Sequence, residues 1–331
     1  MCENVPLASL TTLRVGGPAR FLYIGDSLDT VKTAHAHARM SGLPLCPIGQ
    51  GSNILAADEP IHAVLVKMEG TKLTVRDIGE EVELVASAGY GWDALVRECA
   101  ARNLWGIENL AGIPGTVGAA PVQNIGAYGA EFADTCAWVE CYDPEADAVI
   151  RIDAVDCRFG YRDSRFKKSP GLVILNVALR LQKQGVPNTS YPDLAKSNEL
   201  LDTPERIGEA VRRVRSAKFP DLTVCGTAGS FFKNPVVSQD VYARLKETHP
   251  ELPGFVSPAG VKVPLAWILD HVLALRGFSK GPVRLFEHQP LVLVTETGAT
   301  AADVEALATE VAARVHAATG LIIEREVQSL A

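Results

Sequence analysis

The stretch AGIPGTVGAAPVQNIGAYG, Ala111 to Gly129, constrains this chain more than any other. Its nineteen residues hold five glycines, two prolines and no charge. Glycines fall three apart at Gly115 and Gly118, and again at Gly126 and Gly129. Such a segment reads as a loop whose bare backbone a ligand can approach closely. Without side chains in the way, its N–H groups can turn toward a phosphate and form an anion-binding nest. A second stretch of the same character, PIGQGSN (Pro47 to Asn53), follows the apolar GLPLC. Two such loops could grip one long ligand with a pyrophosphate in its middle. A short glycine loop is also simply how a chain turns, and GQGSN alone does not decide. The G-x-G-x-x-G dinucleotide pattern is absent from both loops, which argues against a plain NAD dehydrogenase.

The rest of the chain bounds the ligand class. Its 331 residues are enough for two or three domains, and 47% hydrophobic with 21% charged residues suits a buried core. The net charge of −7 gives no global basic field for nucleic acid or anionic lipid. Neither partner is expected, and an acidic ligand must meet a local group of Lys and Arg. Seven cysteines, an odd number without a C-x-x-C pair, suggest reduced thiols rather than a disulfide frame or a zinc site. The scattered histidines, His35 and His37 on one helix and five others apart, form no metal pattern, so no metal is expected. MCENVPLASL is not a signal peptide, and no run of 18 apolar residues occurs. The expectation is a cytoplasmic protein with no obligate protein partner evident.

Periodicity predicts helices in LDTVKTAHAHARM, stopped by Gly42, and in GWDALVRECAARN, with Trp92, Leu95, Val96, Cys99 and Ala100 on one face. LDTPERIGEAVRRVRSAK opens at Asp202 or Thr203 with Pro204 near its first position. TAADVEALATEVAARVHAATG runs from a Thr300 cap to a Gly320 stop. AVLVKM, EVELVASA, WVECYD, LVILNVALRLQ and PLVLVTET read as strands. Helices and strands mix without a regular βαβ beat, so the fold class is α+β.

Four further stretches carry chemistry. FGYRDSRFK sets Tyr161 beside Arg162, whose planar fork suits a carboxylate, although a surface loop with ion pairs has the same composition. In GTAGSFFKNP, Ser230 lies between a glycine turn and two aromatics. No G-x-S-x-G elbow surrounds it, so it is a positioned proton donor or a turn residue rather than an acyl nucleophile. Glu324 and Glu326 in GLIIEREVQSL are two apart, on one face if the segment is an extended strand. Burial of either would raise its pKa. Arg212, Arg213, Arg215 and Lys218 gather at the end of a helix, either as positive charge for an anionic substrate or as a solvated face favoured near a helix C-terminus.

Taken in order, TLRVGGPA, GQGSN, AGIPGTVGAAPVQNIGAYG, FGYRDSRFK, AGSFFKNP and the terminal EREV resemble the UDP-N-acetylenolpyruvoylglucosamine reductase (MurB) family, over nearly the whole chain. The match extends to the longer subclass of that family, which carries a tyrosine in a loop. The resemblance implies a two-part FAD-binding unit of the vanillyl-alcohol-oxidase type, residues 1–67 and 68–218. A C-terminal α+β substrate domain, 219–331, follows, its last residues returning to the active site. It implies FAD held non-covalently by Gly49, Gln50, Gly51, Ser52 and Asn53, and by Ile113, Pro114, Gly115, Thr116, Val117, Gly118, Asn124, Gly126, Ala127, Tyr128 and Gly129. The reaction implied is NADPH-dependent reduction of UDP-N-acetylglucosamine enolpyruvate to UDP-N-acetylmuramate, in peptidoglycan precursor synthesis. Hydride reaches the vinyl carbon C3 from flavin N5, with the alkene held roughly 3–3.5 Å away, and C2 is then protonated. Arg162 and Glu326 match the residues that bind the carboxylate as charge develops there, and Ser230 matches the proton donor. Tyr161, Tyr191, Lys218, Asn234 and Gln289 are the implied substrate contacts, Tyr191 folding over the substrate from a polar loop. Gln328 stands where relatives often carry arginine, so no flavin contact is assigned to it. A flavin-dependent alcohol oxidase on the same scaffold is the alternative, against which GSFFKNP and EREV argue.

Overall fold

A computed structural model describes residues 1–331, which fall into two compact units. The first comprises residues 1–5, 19–50 and 62–216, and the second 6–18, 51–61 and 217–331.

The first unit holds two sheets. One is four-stranded, in the order Cys2–Pro6, Pro18–Gly25, Ile61–Met68, Leu45–Ile48, the last two parallel. The other is an antiparallel five-stranded sheet, in the order Ala148–Asp153, Cys136–Asp143, Val173–Gln182, Glu81–Ser87, Leu73–Asp77. The Leu28–Ser41 helix begins at Ser27, whose side chain caps Thr30, and ends at Gly42 in the left-handed region. That is the glycine stop its sequence predicts. Val31, Ala34 and Ala38 bury its inner face against Val64 and Val66 of one sheet and Tyr142 and Val173 of the other. The Trp92–Ala101 helix buries Trp92, Leu95, Val96 and Cys99 in a larger core, which also takes Leu110, Val117, Phe132, Ile207 and Val211. The bare segment is therefore anchored by its few apolar residues. Of the two proposed caps for the Pro204–Lys218 helix, Thr203 accepts from the Arg206 amide, at 3.3 Å.

The second unit is built on an antiparallel sheet, in the order Gly226–Ser230, Val292–Thr295, Val283–Leu285, Ser279–Lys280. The Ala301–Thr319 helix has a capping box between Thr300 and Asp303 and a left-handed Gly320 at its end. Val304, Leu307, Ala308, Val311 and Val315 pack with Val283, Leu285 and Leu293 in one core. A three-stranded sheet and a parallel pair, Ile54–Ala56 with Gln328–Leu330, complete the unit. Strands and helices are mixed as the α+β expectation requires. No helix is long and apolar enough to cross a membrane.

Candidate active site

In the first unit the bare segment is a succession of turns closed by a short hairpin, Gly126–Ala127 with Ala130–Glu131. Several of its amides point inward. Val117 N donates to the Tyr90 carbonyl and Gly118 N to that of Ala88, both at 2.8 Å, while Ala119 and Ala120 donate to the Thr116 carbonyl. The expectation that this run turns its amides toward a ligand thus does not hold at these four positions, because they fasten the loop to residues 88–90 and to itself. A Cβ on Gly118 would sit 2.7 Å from Ala88 Cβ, so this glycine serves close packing. Gly49, on the first glycine loop, faces Thr116 and Ala119 on the second: a Cβ there would lie 3.2 Å from Thr116 Oγ1. The two loops singled out in the sequence are side by side.

FGYRDSRFK is laced to the second half of the bare segment. Asn124, buried and left-handed, donates through Nδ2 to Glu131 Oε2 at 2.9 Å and to the Gly160 carbonyl at 3.1 Å, and its Oδ1 accepts from Ala133 N. Ser164 Oγ donates to the Val122 carbonyl at 2.6 Å. Gly160 and Asp163 bridge a tight turn that carries Tyr161 and Arg162 at its tip, Arg162 with a positive φ of 53°. Arg162 Nη2 donates to the Gly126 carbonyl at 2.7 Å.

The arginines near the end of the Pro204–Lys218 helix are neither a solvated face nor uniformly available to a ligand. Arg212 Nε contacts both oxygens of Asp93, at 2.9 and 3.2 Å, and Asp93 also accepts from the Gly112 amide at 2.6 Å. Arg215 Nε donates to the Gly112 carbonyl at 3.0 Å, and its guanidinium meets the Tyr128 hydroxyl. Arg213 pairs with Glu199 on the surface. Burial pushes the Tyr128 phenol up to about 12, so it stays protonated. Two of these arginines therefore grip the entry of the bare segment and bring positive charge to it. Tyr191, at the start of the short Pro192–Ala195 helix, sets its ring edge-on to that of Tyr128, with centroids 5.0 Å apart.

In the second unit, Ser230 ends its strand at an irregularity. Thr227 pairs with Val294 but Ser230 with Val292, and the intervening Gly229 is left-handed, with φ 75°. Thr227 Oγ1 stabilises the bulge, accepting from Gly229 N at 3.1 Å and donating to the Leu293 carbonyl at 2.7 Å. The terminal segment then lies along the residues after Ser230. Glu326 N donates to the Phe231 carbonyl at 2.8 Å and Lys233 N to that of Glu324 at 2.9 Å. The backbone of Phe231, next to Ser230, is thereby joined to Glu326. Glu324 and Glu326 flank Arg325, which makes an isolated antiparallel bridge with Phe232 and is not part of a regular strand. The chain bends at Glu326 and the strand starts only at Gln328, because backbone bonding passes from Lys233 and Phe231 to Asn53. Glu324 instead pairs with Lys233 Nζ at 2.9 Å, in the open. Asn53 closes this arrangement: its Nδ2 donates to the Glu326 carbonyl at 3.2 Å and its own carbonyl accepts from Gln328 N. Gly51, with φ 65°, packs its backbone on Leu10 and Thr11, and Ser52 follows it, half-buried. Asn234 Oδ1 accepts from Leu265 N at 2.9 Å, the Gln289 carbonyl accepts from Val292 N, and Lys218, half-buried, ends its helix.

These residues fit a flavin dinucleotide. The adjoining loops carry no carboxylate that would repel a pyrophosphate, and Gly49 leaves backbone where a side chain would collide. Arg215 adds a half-buried positive charge beside Gly112 and Tyr128. An FAD binding domain model matches residues 19–151, and the model of the UDP-N-acetylenolpyruvoylglucosamine reductase C-terminal domain matches 220–330. A UDP-N-acetylenolpyruvoylglucosamine reductase of Salmonella choleraesuis (strain SC-B67) is 37% identical over 314 residues, 94% of this chain and 91% of the relative. One of Shewanella sp. (strain MR-4) is 41% identical over 286 residues, 86% of this chain and 83% of the relative. This chain belongs to the UDP-N-acetylenolpyruvoylglucosamine reductase family. Among solved structures, the reductase (MurB) of Thermus caldophilus aligns with a TM-score of 0.69 at 26% identity, over 98% of this chain and 97% of that one. The expected α+β fold, with an FAD-binding part ahead of a C-terminal domain, agrees with both family matches.

Motif reading missed Asp93, Asn109 and Thr227. Each acts through long-range bonds to backbone, and only Asp93 left a trace, as an acid in the first turn of a predicted helix.

Proposed function

We propose that this protein catalyses the NADPH-dependent, FAD-mediated reduction of UDP-N-acetylglucosamine enolpyruvate to UDP-N-acetylmuramate. The observation that supports the reading is the backbone pairing of Phe231–Lys233 with Glu324–Glu326, which joins the chain next to Ser230 to Glu326, whose carbonyl accepts from Asn53. FAD, when bound, supplies the hydride-carrying chemistry between NADPH and the enolpyruvyl ether. The chain itself has three tasks. Arg162, with one arm of its fork committed to Gly126, holds the substrate carboxylate where negative charge develops. Ser230 keeps a proton at Oγ for delivery to C2, and Glu326 orients the same carboxylate. Tyr161 and Tyr191 flank the sugar nucleotide, and Lys218, Asn234 and Gln289 bind its diphosphate and neighbouring groups. Gly49 to Asn53 and the segment from Ile113 to Gly129 hold the dinucleotide, with Asn124 bracing the loop from within.

The division into 1–67, 68–218 and 219–331 belongs to this reading, as does a place in the cytoplasm, in peptidoglycan precursor synthesis upstream of cell shape and division. Anaerobic stopped-flow absorbance tests it. The yellow holoenzyme bleaches with NADPH and regains colour only when the enolpyruvyl nucleotide is added. Recolouring by an alcohol oxidation product instead, or a chain that folds but stays colourless with FAD, overturns it.

A further inference from the structure

The turn that presents Arg162 is held from its own C-terminal side. Gly160 N donates to the Asp163 carbonyl at 2.9 Å and Asp163 N to the Gly160 carbonyl at 3.2 Å, leaving Tyr161 and Arg162 at the tip. Arg162 has a φ of 53°, which residues with a Cβ seldom adopt, so its surroundings must keep it there. The short Arg165–Lys168 helix behind it is firmly seated. Phe166, 4% exposed, sits in the main core of the unit. Buried Ser164 ties down the start of this helix, donating to the Val122 carbonyl and accepting from Phe166 N. From that base Lys167, half-buried, reaches back to the turn, and its Nζ donates to the Arg162 carbonyl at 2.9 Å. The other end of Arg162 donates through Nη2 to the Gly126 carbonyl at 2.7 Å. Arg162 is thus fixed twice, by an ammonium on its main-chain carbonyl and by a carbonyl on its guanidinium. The adjacent Lys168 pairs with Asp163 in the open, its side chain 73% exposed, where such a pair adds little.

We propose that Lys167 is a positioning residue for the substrate half-reaction, holding Arg162 in its left-handed conformation so that the guanidinium stays aimed at the substrate carboxylate. This rests on the reading of Arg162 as the residue that binds that carboxylate. An ammonium-to-carbonyl bond is charge-assisted and stronger than a neutral one. Its loss costs about tenfold in the equilibrium between the held and the released turn. Negative charge grows on the carboxylate during the reduction, so a misaimed Arg162 weakens the transition state more than the bound substrate. The loss therefore falls on kcat more than on KM, and it passes through Arg162.

The test compares wild-type holoenzyme with Lys167→Met, Lys167→Arg, Arg162→Ala and the variant that combines Lys167→Met with Arg162→Ala. Methionine keeps an unbranched stem and removes the donor, whereas arginine keeps a charged donor. At saturating enolpyruvyl nucleotide, flavin reoxidation slows about tenfold in Lys167→Met and stays within about threefold of wild type in Lys167→Arg. KM changes less than kcat, and bleaching by NADPH stays within about twofold in both Lys167 variants. In the Arg162→Ala background, Lys167→Met adds no further slowing. Independently of activity, amide hydrogen exchange of unliganded Lys167→Met accelerates severalfold across residues 159–164 and is unchanged across the Ala301–Thr319 helix. Lys167→Gln, shorter and neutral, gives the same comparison if the methionine variant does not fold. An undiminished effect of Lys167→Met in the Arg162→Ala background overturns the positioning role. So does equal slowing of bleaching and reoxidation, a Lys167→Arg variant as slow as Lys167→Met, or unchanged exchange across the turn. Failure of the wild-type protein to turn over the nucleotide sinks the proposed function instead, and the exchange measurement still decides whether Lys167 holds the turn.

Discussion

Arg162 and Gly126 are joined by a 2.7 Å hydrogen bond from Nη2 to the glycine carbonyl, and the glycine is what permits the approach. A Cβ at position 126 would lie 3.0 Å from Arg162 Nη1, 3.1 Å from Glu131 Cγ and 3.2 Å from the Ala130 carbonyl oxygen. Gly126→Ala therefore pushes the guanidinium a few tenths of an ångström from its seat. Displacements of this kind cost roughly tenfold in rate when the moved group orients substrate. Flavin reoxidation by the enolpyruvyl nucleotide is expected to slow by that factor while bleaching by NADPH is retained. Single-turnover kinetics of the two half-reactions check it, and a variant slowed equally in both would place Gly126 in general folding.

Ser230→Ala removes the proposed proton source and leaves the neighbouring backbone pairing intact. Loss of a positioned acid typically costs about 10²–10⁴-fold. That loss should fall on reoxidation by substrate alone. Equal slowing of bleaching and recolouring would take Ser230 out of the role.

The local part of this architecture was legible in the residues. Thr300 and Gly320 bound their helix as capping chemistry dictates, and Gly42 stops another, because those signals act within a few residues. The glycine segment reads as a loop from its composition, and as a loop of turns it is found. What it did not declare was how it is held. Asp93 reaches Gly112, Asn124 reaches Gly160 and Ser164 reaches Val122 across tens of positions, and no spacing rule predicts such pairs. Glu324 and Glu326 show the same limit. Their alternation suits a strand, and a single bridge forms there between Phe232 and Arg325, but the regular strand starts only at Gln328, paired with Ile54.

Asp93 makes the acid side of the stability curve testable. Burial pushes its pKa up, but the bonds from Arg212 and the Gly112 amide outweigh burial and hold the carboxyl below the ordinary range. A carboxyl of about 3.9 when unfolded and lower when folded stabilises the protein above that pH. The contribution is lost as pH falls through the folded value. Asp93→Asn should lower stability at pH 7 by about 1–3 kcal/mol, since Arg212 loses its charged partner. It should also flatten the decline of Tm on acidification from about pH 5 to 3. Thermal unfolding from pH 3 to 7 checks both, and parallel curves for the two proteins would remove Asp93 from the acid response.

Gly229 separates a backbone requirement from a steric one. The nearest atom to a Cβ there is Phe219 Cε1 at 3.9 Å, so a small side chain has room. The constraint is φ, which at 75° lies where β-branched residues are strained and asparagine is tolerated. The bulge around it moves Ser230 into register with Val292. If position 229 sets the placement of Ser230 through its backbone alone, Gly229→Asn keeps most of the substrate half-reaction. Gly229→Val, forced toward an extended φ, loses about 1–2 kcal/mol of stability and slows recolouring far more than bleaching. Should Asn and Val behave alike, the left-handed turn would have no part in presenting the serine, and its proton-donating geometry would have to come from the pairing of Phe231 with Glu326 instead.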